Sequence, residues 1–300
     1  MGNKNKQPFC ISEYCAIFVD LLGHKKFLKD LSNCARDEAQ RRVSELSKPL
    51  LCFKEGALKR VEEVLGDTVK LINEKSPESA RPSLLSLVDD ITYGVQQFSD
   101  STLLYVKMGS PVSYIVVNMF LEFIVFRLLD NMSSGTPLRG GVAIGQGWEL
   151  EDNCLCGQVI ADAYDLESKV SNWGRVTVSE LFESRLRSLC GLSEIVGGRW
   201  ILEFLRPLTS IIKIDIDGAY FLDYLNPAVD EMYRRNRFND KWFVDRIKSG
   251  LAFINDQCDR FKSESPKSLE SARLALRYDI MRGYWNSRIS MWASKEGVQL

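Results

Sequence analysis

Histidine is nearly absent from this chain: His24 is the only one in 300 residues. That argues against zinc sites and Ser-His-Asp devices built on several imidazoles. There is no Cys-x-x-Cys pair either. The eight cysteines are scattered, and the closest two, Cys154 and Cys156, have one residue between them, which suits reduced thiols in a cytoplasmic protein. An excess of charge is missing too, since 39 basic and 40 acidic residues leave a net charge of -1; no broad nucleic-acid surface is expected. Arg234, Arg235 and Arg237 form a small basic cluster, read as a solvated helix face. The polar start, Met1 to Pro8, lacks the apolar core of a secretory signal, and Lys6 stands where a myristoylation pattern needs Ser or Thr. Only one apolar run, Val112 to Met132, has the length of a membrane span. It carries Asn118, Glu122, Arg127 and Asp130, and charges are costly in a bilayer, so it predicts a buried helix and no membrane association. Walker and GxGxxG loops, internal repeats and low-complexity tracts are all missing.

What remains is ordinary globular material, 45% apolar and 26% charged, long enough for one large domain or two small ones. Two aspartates stand out within it. Cys15 to Leu22 is apolar except for Asp20, and Gly23 breaks the run. Ile91 to Gln97 and Thr102 to Lys107 read as the arms of a hairpin whose turn, Phe98 to Ser101, contains Asp100. A carboxylate closing a buried strand is costly unless a cation meets it. If the two strands are neighbours, Asp20 and Asp100 make a hard oxygen site for Mg²⁺ or Mn²⁺ carrying a triphosphate. A plainer reading has Asp20 capping the next helix and Asp100 serving a turn.

In chain order, residues 1–11 are a loose lead-in and Glu13 to Leu22 is a central strand. Helix follows from about Lys25, with helical apolar spacing from Val43 to Ile72 that Pro49 should kink or split. Ser76 to Pro82 is a loop, and the hairpin and the helix Ser113–Asn131 come next. The run Leu138 to Gly147 is a glycine-rich strand, where Gly140, Gly141 and Gly145 allow a backbone or a ligand close. Gly157 to Val170 is a helix, and Val176 to Ser179, Trp200 to Leu205 and Ile211 to Ile216 are strands. From Pro227 on, the pattern is helical. One stripe runs from Trp242 through Ile247 and Ile254 to Cys258, and another through Leu269, Ala272, Leu276, Ile280, Tyr284 and Trp292. The order predicts a mixed α/β (α+β) protein with a ferredoxin-like βαββαβ core, a long helical insertion over about 30–83 and a helical C-terminal extension over 226–300.

Four of these stretches, in this order, resemble the motifs of class III nucleotidyl cyclases. IFVDLLGHKKF (17–27) looks like their first metal strand, QQFSDSTLLYVK (96–107) like the metal hairpin, LRGGVAIGQG (138–147) like the Arg-x-Gly strand, and GQVIADAYDLESK (157–169) like the helix that follows. The spelling and the long insertion are closest to the pyrimidine cyclases of the bacterial Pycsar antiphage system. The resemblance covers about residues 12–217, within a catalytic domain of 12–225. It implies that UTP or CTP is cyclised by in-line attack of the ribose 3′-hydroxyl, with pyrophosphate leaving, and that the product activates a separate effector protein. It implies two divalent ions on Asp20, Asp100 and the Leu21 carbonyl, a polyphosphate cradle at Leu22, Gly23 and His24, base readers at Gln96 and Cys154, and a head-to-tail homodimer sharing its sites. The family's asparagine and arginine fall on Ala161 and Asp165, so Lys169 or Arg139 would have to replace the arginine that steadies the transition state.

Overall fold

The computed structural model describes residues 10–22, 34–98, 100–150, 154–195, 199–230, 232, 240–264 and 268–296. Its core begins with β1 (Ser12–Leu21), whose odd-numbered residues Cys15, Ile17, Val19 and Leu21 are buried on one face and Tyr14, Ala16 and Phe18 on the other. A strand covered on both sides belongs in the middle of a sheet. There it pairs antiparallel with β3 (Ser101–Lys107) on one side and with β4 (Leu138–Leu150) on the other. β2 (Tyr93–Phe98) forms the hairpin with β3. Beyond β4 lie β6 (Val176–Val178), β8 (Tyr220–Leu222) and β7 (Ile212–Ile214), and the short β5 (Cys154–Cys156) pairs with the far end of β4. The order β2-β3-β1-β4 with its connecting helices is the ferredoxin-like core expected from the sequence, extended on the β4 side.

The insertion between β1 and β2 is helical, as its spacing predicts. It comprises α1 (Arg36–Lys75) and α2 (Arg81–Asp89), the latter opened by Pro82 at its first turn, where a missing N–H costs nothing. α1 runs through Pro49 without dividing, correcting the expected split. A proline removes one bond of a forty-residue ladder, and Phe53, Ala57 and Val61 bury the following turns against the core. The helix expected from Lys25 lies outside the described residues up to Asn33.

α3 (Ser113–Ser133) is the apolar run that has the length of a span. It is buried nearly all round, between the sheet, α1 and the C-terminal helices, and the Asn118 amide donates to Glu122 at 3.0 Å inside it. Among the described residues no helix is long and apolar enough to cross a membrane.

The stretch Trp200 to Leu205 is not a strand. It belongs to α6 (Arg199–Ile211), which follows α5 (Glu180–Ile195). Among its described residues Leu202, Leu205, Leu208 and Ile211 are buried, a three-residue recurrence that a short apolar window does not display. Among its described residues the C-terminal extension holds two long helices, α7 (Asp240–Glu264) and α8 (Leu269–Glu296), with α7 packed on α3 and α8 on α7. The α7 stripe holds, with Ile247, Ile254 and Cys258 buried. The α8 stripe is corrected in part: Leu269, Leu276 and Ile280 face solvent, Tyr284 and Trp292 pack into the core as expected, and Ala275, Met281 and Trp285 are buried with them. The large rings decide which face turns inward. Gly250 of α7 leaves the space that the Trp285 indole fills.

Candidate functional site

The end of the sheet at Asp20 is built by register. Asp20 stands opposite Ser101 on one neighbour and Arg139 on the other. All three side chains meet: the Ser101 hydroxyl donates to Asp20 Oδ1 at 2.8 Å, and Arg139 donates to Oδ2 from Nη2 at 3.0 Å and from Nε at 3.3 Å. The cation that a strand-closing carboxylate demands is thus an arginine of the same chain.

A third charged group, Glu167, enters from below. α4 (Gln158–Asp165) lies on this face of the sheet and passes into a wider π-turn, Leu166–Val170, closed by Ser171 N–H on the Leu166 carbonyl at 2.8 Å. Such turns recur at functional sites because they re-aim a side chain within a helix. Here the turn places Glu167, 1% exposed, with Oε1 2.5 Å from Arg139 Nε and the Asp20 carboxylate within hydrogen-bonding reach. Burial pushes the Glu167 carboxyl up to about 7; Arg139 opposes that shift and the charge of Asp20 adds to it.

Gly141 makes the approach possible. A Cβ there would collide with the Ala163 carbonyl and come within 2.7 Å of Leu166 Cβ and 2.8 Å of the Glu167 amide. Gly141→Ala is expected to cost about 1–3 kcal/mol in overpacking, and the loss should appear in a urea melt. The glycine-rich strand therefore admits neighbouring backbone at this position.

Asp100 sits in the turn immediately before Ser101, so its backbone adjoins that of Asp20 at the same end of the sheet. With Val19, Leu21, Phe53, Thr102, Arg127, Asn131 and Leu138, Asp100 lines a cavity between the sheet, α1 and α3. The two aspartates thus stand next to each other at one end of the sheet.

The remaining residues fall as follows. Gln96 is half-buried on β2, opposite Leu103, on the same face as Asp20 and one pair further in. The Leu22 amide is committed to the Pro137 carbonyl at 2.8 Å, so it is not offered to a phosphate. Lys169 is 69% exposed and pairs with Asp165 at 2.6 Å. Cys154 stands opposite Leu150, at the far end of β4; from Arg139 to Leu150 is about 35 Å at the rise of a strand, so within one chain Cys154 does not meet Asp20. Gly23 and His24 lie outside the described residues.

Sequence reading missed Glu167. Its signal was present: Val159, Ala163 and Glu167 recur every four residues, and all three are buried, which puts a carboxylate on an apolar helix stripe.

Among the described residues no group of three or more His, Cys, Asp or Glu side chains is arranged to hold a metal. The donor chemistry at Asp20 still fits a hard cation, because two carboxylates already converge there on one positive charge.

No known protein family matches the chain, and no curated protein does. Among solved structures, it is similar to a bacterial light-regulated adenylyl cyclase, at 8% identity and a TM-score of 0.31, over 75% of this chain and 98% of that one. A likeness at that level says nothing of activity.

Proposed function

We propose that the protein is a nucleotidyl cyclase that converts a pyrimidine nucleoside triphosphate, UTP or CTP, to its 3′,5′-cyclic monophosphate and pyrophosphate. The observation that carries this reading is the register that sets Asp20, on the central strand, beside the turn holding Asp100, in a chain whose four motifs follow the cyclase order. Asp20, Asp100 and the Leu21 carbonyl would hold two Mg²⁺ or Mn²⁺ ions, which when bound acidify the ribose 3′-hydroxyl and offset charge on the triphosphate.

The chain's own groups do the rest. Arg139, 21% exposed at the sheet end, can turn from Asp20 to phosphate oxygens and offer a planar pair of donors. Gln96 carries both a donor and an acceptor on the Asp20 face, the two functions needed to read a pyrimidine edge, and these serve uracil and cytosine alike. Cys154 reaches a nucleotide at Asp20 only from a second copy, which fits a head-to-tail homodimer. Substrate brings both nucleophile and leaving group, so positioning and charge are what the protein must supply. The product would act as a second messenger on a separate effector in antiphage defence.

The test is the purified chain with Mn²⁺ and each of the four ribonucleoside triphosphates, with products separated by chromatography. Cyclic UMP or cyclic CMP should dominate. Cyclic AMP or cyclic GMP as the main product would move the assignment to a purine cyclase.

A second reading, a nucleotide- or partner-binding relative without turnover, is favoured by Ala161 and Asp165 where the family has asparagine and arginine, and by Lys169 being tied to Asp165. Tight triphosphate binding with no cyclic product from any of the four would select it.

A further inference from the structure

Arg139 is shared between two acids. It donates to Asp20 from Nη2 at 3.0 Å and lies 2.5 Å from Glu167 through Nε. The two acids differ in surroundings: the Asp20 side chain is 14% exposed and Glu167 1%. Glu167 is held by the wider turn of Leu166–Val170 and by the missing side chain of Gly141, so its position is set by backbone. Asp20 is held by its strand and by Ser101. Arg139, a long side chain at the end of β4, can shift between them without moving either.

A divalent ion arriving at Asp20 meets a carboxylate already paired with Arg139. It must displace the guanidinium, and a guanidinium released from one carboxylate needs another partner to stay in a half-buried place. We propose that Glu167 is the positioning residue that keeps Arg139 when Asp20 binds the cation, so that metal and arginine occupy adjoining acids in place of competing for one. Glu167 then acts on metal affinity through Arg139, not as a ligand. This deepens the cyclase reading and rests on its claim that Asp20 holds a divalent ion.

The experiment measures Mn²⁺ affinity, not turnover, by paramagnetic resonance titration of the full chain with Asp20→Asn as the reference for site occupancy. Arg139→Met should tighten binding at the Asp20-dependent site about tenfold, because the internal cation is gone. Glu167→Gln should weaken it about tenfold, because Arg139 then stays on Asp20. In the double variant Arg139→Met, Glu167→Gln, the effect of the glutamine should shrink to less than about twofold, a coupling that independent sites do not show.

An equal effect of Glu167→Gln with and without Arg139 would overturn the proposal, since Glu167 would then be a ligand or a support in its own right. Should Glu167→Gln fail to fold, Arg139→Met decides alone: unchanged affinity overturns the proposal and a tenfold gain supports it. A wild-type chain with no Mn²⁺ site sensitive to Asp20→Asn would bring down the cyclase reading together with this inference. An Asp20-dependent site with no coupling brings down the inference alone.

Discussion

Asp20→Ala should abolish cyclisation, by about 10³-fold or more, and leave the chain folded. Three decades of rate correspond to about 4 kcal/mol of transition-state stabilisation, a size that a metal-holding carboxylate readily supplies. The stability cost is smaller because the partners are not stranded. Ser101 lies at the sheet end, and Arg139 keeps Glu167. The loss of two or three hydrogen bonds at a partly exposed site is worth about 1–2 kcal/mol, and a melt should fall by about 2–3 °C in a chain of this length. Asp20→Asn separates shape from charge: it keeps an acceptor for the Ser101 hydroxyl and removes the charge. Product should be measured by chromatography and folding by circular dichroism on the same preparations. More than about a tenth of wild-type rate in the asparagine variant would show that this carboxylate is not where the reaction is driven.

Asp223→Ala should be the most destabilising substitution in the C-terminal half. Asp223 is wholly buried in the loop after β8. It accepts from the Tyr284 hydroxyl at 2.8 Å and from Arg288 Nε at 3.0 Å on one oxygen, and from Arg288 Nη2 at 2.8 Å and Asn226 at 3.1 Å on the other. The same hydroxyl accepts from the Leu225 amide at 3.1 Å, and the Trp285 and Trp292 indoles donate to the Tyr224 hydroxyl and the Leu225 carbonyl. One carboxylate thus ties α8 to the sheet. Removing it leaves a cation and a hydroxyl facing apolar rings, a loss of about 3–5 kcal/mol, or about 5–8 °C in the melting temperature of a 300-residue chain. Arg288→Ala should cost nearly as much, and the double variant little more than either, because both break one network. Limited proteolysis should release α8 first. A shift of less than about 1 °C for Asp223→Ala would mean that apolar packing alone holds the helix.

Much of the fold is legible in residue pattern. The unbroken apolarity of β1 predicts a strand covered on both faces, and the hairpin at Asp100 and the order of the core follow from alternation and turn residues. α6 was hidden because a six-residue window with five apolar residues, broken only by Glu203, fits a strand and a helix equally, and only the spacing out to Ile211 separates them. On α8 two stripes compete, and the tryptophans outweigh the leucines since each ring removes more surface from water. At the site, Asp20 was visible as the one charge in the apolar run Cys15 to Leu22, while Arg139 and Glu167 could not be joined to it without the register of β4 and the π-turn.

The central place of β1 has a kinetic consequence. With ladder bonds to β3 on one side and β4 on the other, the amides around Asp20 can meet solvent deuterium only when the whole sheet comes apart, so their exchange should track global unfolding. The carboxylate is therefore held by the slowest-opening part of the molecule, and a ligand that clings to it will protect the entire core against proteases rather than one loop.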